Sequence, residues 1–270
     1  MMTDHATWGF TASTGLAFSR ADIVDAHFDA CRDTYLDLLC RVGIRTGWHI
    51  LDAGCGPGGY LPHLAALVGP RGAVSAVDLA PENVVAADAR DTGARVRQGD
   101  LTELPYADDS FDVAWCANAV QYLDDERLRR ALAELRRVVR PGGLVAVKDL
   151  DASTVTARPG PPFLFVDFFR AAAGTSGYAR QLLRTRGLYQ FLRAAGLSDV
   201  RQHCVLSEHY APFTPAERAY YGQACARVAA KAGADPRWRP FLDPDHPDHP
   251  LNAPDGYLCE GNVLAVGTVP

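Results

Sequence analysis

Asp52 stands two residues ahead of a turn built almost wholly from glycine, Gly54-Cys55-Gly56-Pro57-Gly58-Gly59. Side chains there are absent or small, so a ligand can come against the backbone itself. The run Ile50-Leu51-Asp52-Ala53 before it reads as a buried strand, and the pattern from Tyr60 to Val68 after it reads as a helix. The first N–H groups of that helix point back at the turn. Three further polar residues follow at the ends of later apolar runs: Asp78, Asp100 and Asn118.

Two ligand classes compete for such a turn. Gly54, Gly56 and Gly59 fit the spacing of a dinucleotide fingerprint, and Asp78 lies near where a ribose-binding acid is expected. A pyrophosphate would then sit beside Asp52, and like charges at short range repel. A ligand carrying an ammonium and a sulfonium would be attracted instead. Asp52 therefore tilts the reading from NAD toward S-adenosylmethionine.

The elements that must position these groups alternate. Strands are expected at His49–Ala53, Ala73–Leu79, Arg95–Gln98, Asp112–Ala117 and Leu144–Asp149, and helices at Tyr60–Val68, Pro81–Thr92 and Asp124–Val139. That order predicts an α/β, doubly wound, mostly parallel sheet, in which ligands bind at the carboxyl ends of the strands. Before it, residues 22–42 have helical spacing. After it, Arg158-Pro159-Gly160-Pro161-Pro162 reads as a loop, and Phe163–Phe169 as an aromatic, apolar run suited to a buried helix or a cap. Residues 178–195 read as one helix, Pro215–Ala232 as another, and Val200–Ser207 and Asn262–Val269 as the last strands. The expected division is an N-terminal helical lid (1–44), a nucleoside-binding core (45–150), a cap insert and helix (151–196), and a C-terminal section (197–270) with a helix and a Pro-rich loop inserted.

Four signatures in order give the chain a resemblance to class I S-adenosylmethionine-dependent methyltransferases of the small-molecule type, near the menaquinone/ubiquinone-type and natural-product enzymes. They are Ile50–Gly59, Ala-Val-Asp-Leu-Ala (76–80), Gly-Asp-Leu-Thr-Glu-Leu-Pro-Tyr-Ala-Asp-Asp-Ser-Phe-Asp-Val (99–113) and Arg-Val-Val-Arg-Pro-Gly-Gly-Leu (137–144). The resemblance covers about residues 45–150. It implies a seven-stranded Rossmann-like sheet with a helical cap. It also implies roles by position. Gly54, Cys55, Gly56 and Gly58 cradle the cofactor's amino-acid end, and Asp52 holds its ammonium. Asp78 accepts the ribose hydroxyls, Leu79 packs on the adenine, and Asp100 with the Leu101 N–H meets the adenine edge. Asn118 borders the methionine portion, Val120 and Gln121 lie near the transferred methyl, and Arg20 pairs with the carboxylate. After the fourth strand the residues are Asn118-Ala119-Val120-Gln121, not the Pro-Pro-aromatic motif of amino-group nucleobase methyltransferases. Candidates for a general base are His27, Tyr178, Asp149, Asp151, His203 and His209, with His27, Asp149 and Tyr178 put forward first.

The acceptor expected is a small, aromatic or apolar metabolite, of the kind handled in secondary metabolism or quinone-like chemistry. The alternatives are a cyclase or other non-methylating enzyme that uses the same cofactor, and an NAD(P)-dependent oxidoreductase. The chain has 270 residues, a net charge of −5 and no basic run, which disfavours a nucleic-acid partner. Six arginines between Arg127 and Arg140 read as a solvated helix face. The seven scattered cysteines form no disulfide or zinc pattern. Asp243-Pro244-Asp245-His246-Pro247-Asp248-His249-Pro250 offers ligand atoms, but its prolines restrict them, and it reads as a solvated loop. No metal is expected. With no signal-like start and no long apolar run, no membrane partner is expected and the cytoplasm is the expected compartment. The oligomeric state is left open, a homodimer included.

Overall fold

The computed structural model describes residues 8–270. The first seven residues of the expected lid, Met1–Thr7, lie outside the described residues. The chain divides into two compact units. One comprises residues 35–150, 184–204 and 263–270; the other comprises residues 8–34, 151–183 and 205–262.

The first unit, the core, is laid down by the predicted alternation. Strands β1 (His49–Ala53), β2 (Ala73–Asp78), β3 (Arg95–Gln98) and β4 (Phe111–Ala117) come with helices α3 (Leu61–Val68), α4 (Pro81–Asp88) and α5 (Asp125–Val138). Helix α2 (Arg32–Cys40) precedes them, separated from α1 (Ala21–Ala30) at Cys31, where no glycine or proline marks the break. The sheet has seven strands in the order β3-β2-β1-β4-β5-β7-β6, and its β3 to β5 neighbours pair in parallel. Parallel strands are covered on both faces, so they read as continuous apolar runs. Helix α5 shows how one face is covered. Leu128, Ala131, Leu132, Leu135 and Val138 recur at helical spacing and are fully buried. Each large apolar side chain so buried contributes about 1.5–3 kcal/mol. The Asp124 carboxylate caps the helix by accepting from the Arg127 N–H at 2.8 Å.

Strand β5 departs from expectation. It runs from Val139 to Arg158. Phe111 pairs with Val139 and Val113 with Leu144, so Arg140–Gly143 bulge out of the ladder rather than forming a free turn. Beyond Asp149 the Thr154-Val155-Thr156 run keeps the backbone extended, because β-branched residues favour strands.

The second unit has strands and helices of its own. Helix α1 is joined by α6 (Leu164–Ala172), the start of α7 (Gly177–Arg184) and α9 (Pro215–Ala232). The later parts of β5 and β6 (Ser198–Tyr210) and the earlier part of β7 (Tyr257–Thr268) complete it. The expected helix over 178–195 is two, α7 and α8 (Leu188–Ala194), parted by a 3-10 turn at Thr185–Gly187. The aromatic run finds a bland role. Trp8 stacks on Phe169 with centroids 6.1 Å apart and meets Tyr178 edge-on at 5.3 Å, while Phe165 packs on Trp238 and Phe241. These rings are this unit's own hydrophobic core. The Asp243–Pro250 loop is not fully solvated either. His249 is buried against Phe241, and burial pushes its imidazole down to about 4, so it is held neutral.

The boundaries differ from those expected. Residues 35–44, expected in the lid, and 184–196, expected in the cap insert, pack with the core, while 205–262, expected in the C-terminal section, fall in the other unit. Every passage between units falls within a helix or strand: α2, β5, α7, β6 and β7.

Candidate functional site

The glycine turn is pinned to β2. The Gly54 and Cys55 N–H groups both donate to the Val77 carbonyl, at 2.8 and 3.0 Å. Gly54 has φ +78°, and a Cβ there would lie 2.5 Å from the Ala119 Cβ. Gly58 has φ +86° and would meet Leu61 and Ala87. Both positions therefore need glycine for the backbone conformation and for space. Cys55 is buried, and its thiol is pushed up by burial, so it is a small apolar filler.

The acids differ in how they are satisfied. Asp78 accepts from the Gly56 N–H at 2.8 Å, the Ala80 N–H at 2.9 Å and the Asn83 amide at 3.3 Å. About three of the four acceptor positions of a carboxylate are thus filled by the turn and α4. Burial raises its pKa against those hydrogen bonds. Asp52 is 1% exposed and its Oδ2 has no hydrogen-bond partner. Burial, then the neighbouring Asp78 charge, pushes it up to about 8. A buried, unsatisfied carboxyl beside a second acid is unfavourable alone and is relieved by a cation.

Asp100 follows β3. Its Oδ1 accepts from the Thr102 N–H and hydroxyl, both at 2.8 Å, and its Oδ2 lies 3.5 Å from Arg127. Leu101 flanks Gly54. Leu79 is 37% exposed at the end of β2, a bare apolar surface on the rim. Arg137 shapes the next loop by donating to the Tyr106 carbonyl at 2.8 Å, the Leu104 carbonyl at 3.2 Å and Asp108 at 2.8 Å. It is an anchor, not the solvated charge expected of its helix.

Asn118 has φ +53°, a left-handed conformation that asparagine tolerates better than most residues. Its side chain accepts from Lys148 Nζ at 2.8 Å and donates to the Tyr35 hydroxyl at 3.3 Å. Lys148 is 0% exposed, and its ammonium lies 3.5 Å from the Tyr35 ring centroid. Neither Lys148 nor Tyr35 was foreseen. The signal for Lys148 was there: a lone lysine directly after Leu144-Val145-Ala146-Val147 and before Asp149, on a strand expected to be covered on both faces. Gln121 is buried with Oε1 unpartnered. Asp149 is buried with Oδ1 unpartnered, and burial holds it up at about 7 against the pull of Lys148 and Arg184.

The core unit thus brings together Asp52, Gly54, Cys55, Gly56, Gly58, Asp78, Leu79, Asp100, Leu101, Asn118, Gln121 and Asp149. His203, on β6, also belongs to the core, while the other unit holds Arg20, His27, Asp151, Tyr178 and His209. Arg20 is exposed there and grips Asp22 through two hydrogen bonds, at 2.6 and 2.8 Å. Tyr178 is buried in the aromatic core. His27 Nε2 is 2.8 Å from Glu260 Oε1.

Residues 50–143 match the family model described as "Methyltransferase domain". The chain is 42% identical over 111 residues to a malonyl-[acyl-carrier protein] O-methyltransferase of Erwinia billingiae, covering 41% of this chain and 42% of that protein. It is 30% identical over 171 residues to the O-methyltransferase resE of Aspergillus sclerotiorum, covering 60% and 61%. The chain spans about half the length of the curated relatives it matches. Among solved structures, a putative methyltransferase from Bacillus halodurans superposes with a TM-score of 0.56 at 18% identity, covering 87% of this chain and 98% of that one. That likeness is one of fold.

Proposed function

We propose that this chain, whose residues 50–143 match a methyltransferase domain model, is a class I S-adenosylmethionine-dependent enzyme that transfers a methyl group from that nucleoside to a small molecule. The observation that carries the reading is Asp52: a buried carboxyl with an unpartnered oxygen, beside Asp78 and a turn where glycine is obligatory. The residues fit a cationic nucleoside. Asp52 Oδ2 takes the ammonium. The remaining acceptor capacity of Asp78 takes ribose hydroxyl, a charge-assisted contact. Leu79 offers apolar surface to the adenine, and Asp100 Oδ2 with the Leu101 N–H its polar edge. Asn118, held by Lys148 and Tyr35, and Gln121 border the methionine portion. Arg20 drops out of the set because its guanidinium is committed to Asp22.

The bound nucleoside supplies a methyl already activated by its sulfonium, so the protein's main contribution is alignment. An acceptor that keeps its proton at working pH needs a base. Asp149 fits that role, with an unpartnered Oδ1 and a pKa near 7.

The acceptor we propose is a small apolar or aromatic metabolite, of secondary or quinone-like metabolism. The buried rings of Trp8, Phe165, Phe169 and Trp238 do not support this, being spent on packing each other; the family resemblance is what supports it. O-methylation of malonyl-[acyl-carrier protein], named for the Erwinia relative, belongs in the same panel. Neither a nucleic acid nor a membrane is needed, and no helix among the described residues is long and apolar enough to cross one. The cytoplasm is the compartment the reading fits.

The test is calorimetry with S-adenosylhomocysteine and with NADH, followed by S-adenosylhomocysteine release across phenols, quinols, amines and acyl-carrier-bound acids. Binding of S-adenosylhomocysteine, with release on one acceptor class, is the expected result. NADH binding in its place overturns the cofactor assignment. Binding without release on any class turns the reading toward a non-methylating use of the nucleoside.

A further inference from the structure

The second unit contains a cluster that the methyl-transfer reading does not use. His27 and Cys31 lie four residues apart, His27 within α1 and Cys31 at its C-cap, so they share a face. Glu260 comes from β7. One ligand atom from each of the three lies within 4.8 Å of the others, the one such group of histidine, cysteine and acid among the described residues. His27 Nε2 to Glu260 Oε1 is 2.8 Å, and Cys31 Sγ to Glu260 Oε1 is 3.5 Å. A fourth donor stands beside them: His209 Nε2, from β6, is 3.9 Å from Cys31 Sγ.

We propose that His27, Cys31, Glu260 and His209 bind a divalent transition-metal ion of zinc's class. Ligand atoms around tetrahedral zinc, with bonds near 2.0–2.3 Å, stand about 3.3–3.8 Å apart. Of the two sulfur separations, 3.5 Å falls inside that range and 3.9 Å just beyond it, while His27 Nε2 and Glu260 Oε1, at 2.8 Å, must part by about 0.5 Å to reach it. The donor set selects the ion. A thiolate with two imidazoles suits zinc or cobalt and is foreign to magnesium and calcium, which take oxygen. Charge selects it again. Two anionic ligands and two neutral imidazoles cancel a double positive charge, so the loaded centre is neutral and its burial is not penalised as a bare charge would be.

The surroundings are those of ligands held in place. His209 Nδ1 is 2.7 Å from Glu217 Oε1, which turns Nε2 toward Cys31. Glu217 is itself fixed, since its Oε2 accepts from the Thr214 N–H in the capping box of α9. A carboxylate behind a ligating histidine orients the ring and raises its basicity. Tyr220 stacks on the His27 ring at 3.9 Å and 8°. The Tyr221 hydroxyl is 3.5 Å from Cys31 Sγ. Asn262 donates to Glu260 Oε1 at 3.5 Å. An inert buried cysteine looks different: Cys225, in the same unit, has its thiol pushed up by burial alone. Cys31 has a carboxylate, a phenol and an imidazole around its sulfur.

On binding, four metal–ligand bonds form. The Cys31 thiol releases its proton to solvent. The hydrogen between His27 Nε2 and Glu260 Oε1 leaves that line, to solvent or to His27 Nδ1. The filled site would tie α1 to β6 and β7.

The test uses the full chain, first assayed for zinc as purified, then stripped with a chelator and titrated with Co²⁺. The expected result is one cobalt per chain, with a thiolate-to-cobalt charge-transfer band, displaced by Zn²⁺. Cys31→Ser loses the band, and Cys225→Ser keeps it. Glu217→Gln keeps the band and weakens the metal about 10–100-fold, the usual cost of a lost outer partner. A folded wild-type chain that binds neither Co²⁺ nor Zn²⁺ overturns the proposal, as does a band that survives Cys31→Ser. Should Cys31→Ser fail to fold, the wild-type titration and the Glu217 variant decide. S-adenosylhomocysteine binding is read separately, so failure of this site and failure of the methyl-transfer reading are told apart.

Discussion

The two units each gather ionisable groups in a buried place, and they do so in opposite ways. In the core, Asp52 and Asp149 each keep a carboxylate oxygen with no partner, and Asp52 sits against Asp78. In the other unit, His27, Cys31, Glu260, His209 and Glu217 hand hydrogen bonds along a line. Buried carboxylate oxygens left without a partner suit an organic cation that arrives with its own donors. A closed line of mixed nitrogen, sulfur and oxygen donors suits a metal that replaces protons. The lesson is that burial of charge does not identify a ligand; the pattern of what is left unsatisfied, and the elements in the donor set, do.

That contrast can be broken first at the turn. Gly54→Val places a Cβ against Ala119 and forces φ +78° on a β-branched residue. Roughly 3 kcal/mol or more of folding stability should be lost from steric and backbone strain together, read by denaturant unfolding, and cofactor binding should vanish. Normal binding would mean that the turn is not the cradle. Next, Asp78→Ala should weaken cofactor binding by about 1.5–3 kcal/mol, the scale of hydrogen bonds to a charged group, measured by calorimetry. An unchanged Kd would remove Asp78 from the site.

Asp52 sharpens the comparison through pH. Its folded pKa, about 8, lies above the ordinary carboxylate value, so burial favours the protonated form. Its contribution to the stability of the ligand-free protein is complete below the unfolded value near 4 and is lost as pH rises through about 8. Asp52→Asn should therefore melt higher than wild type at pH 8.5, by roughly 2–4 °C for each kcal/mol relieved, yet bind the cationic cofactor more weakly. Equal melting temperatures at pH 8.5 would mean that the carboxyl is not as isolated as its geometry indicates. The smallest effect is expected at Asp149. With cofactor saturating, kcat/KM for a proton-bearing acceptor should rise as pH passes about 7, where Asp149 ionises, and Asp149→Asn should flatten the rise. A profile with the same inflection in the variant assigns the base elsewhere.

Much of the core was legible because its signals are local. Strands β1 and β3 run over the residues expected, and β2 and β4 differ by one residue at an end. Asp52, Asp78, Asp100 and Asn118 all stand at strand ends, since the apolar runs that define the strands stop there. What was hidden depends on distance in the chain. Glu260 reaches His27 across 233 positions, and His209 reaches Cys31 across 178, so no spacing rule could have joined them, while the adjacent ligands of residues 243–250 drew notice instead. The continuation of β5 past Asp149 was masked by polar residues that read as loop although their β-branching favours a strand. The cap aromatics were legible as apolar, but whether such rings line a cavity or fill one another is decided only by packing.

The five passages between units, in α2, β5, α7, β6 and β7, have a practical consequence. Loops such as residues 159–163 and 242–248 lie inside a unit, so gentle protease digestion should nick the chain there before it cuts at a seam. For the same reason the cap is not a cassette. Grafting it onto a relative means splicing through hydrogen-bonded backbone at every seam, where one added residue in a strand inverts which side chains face inward.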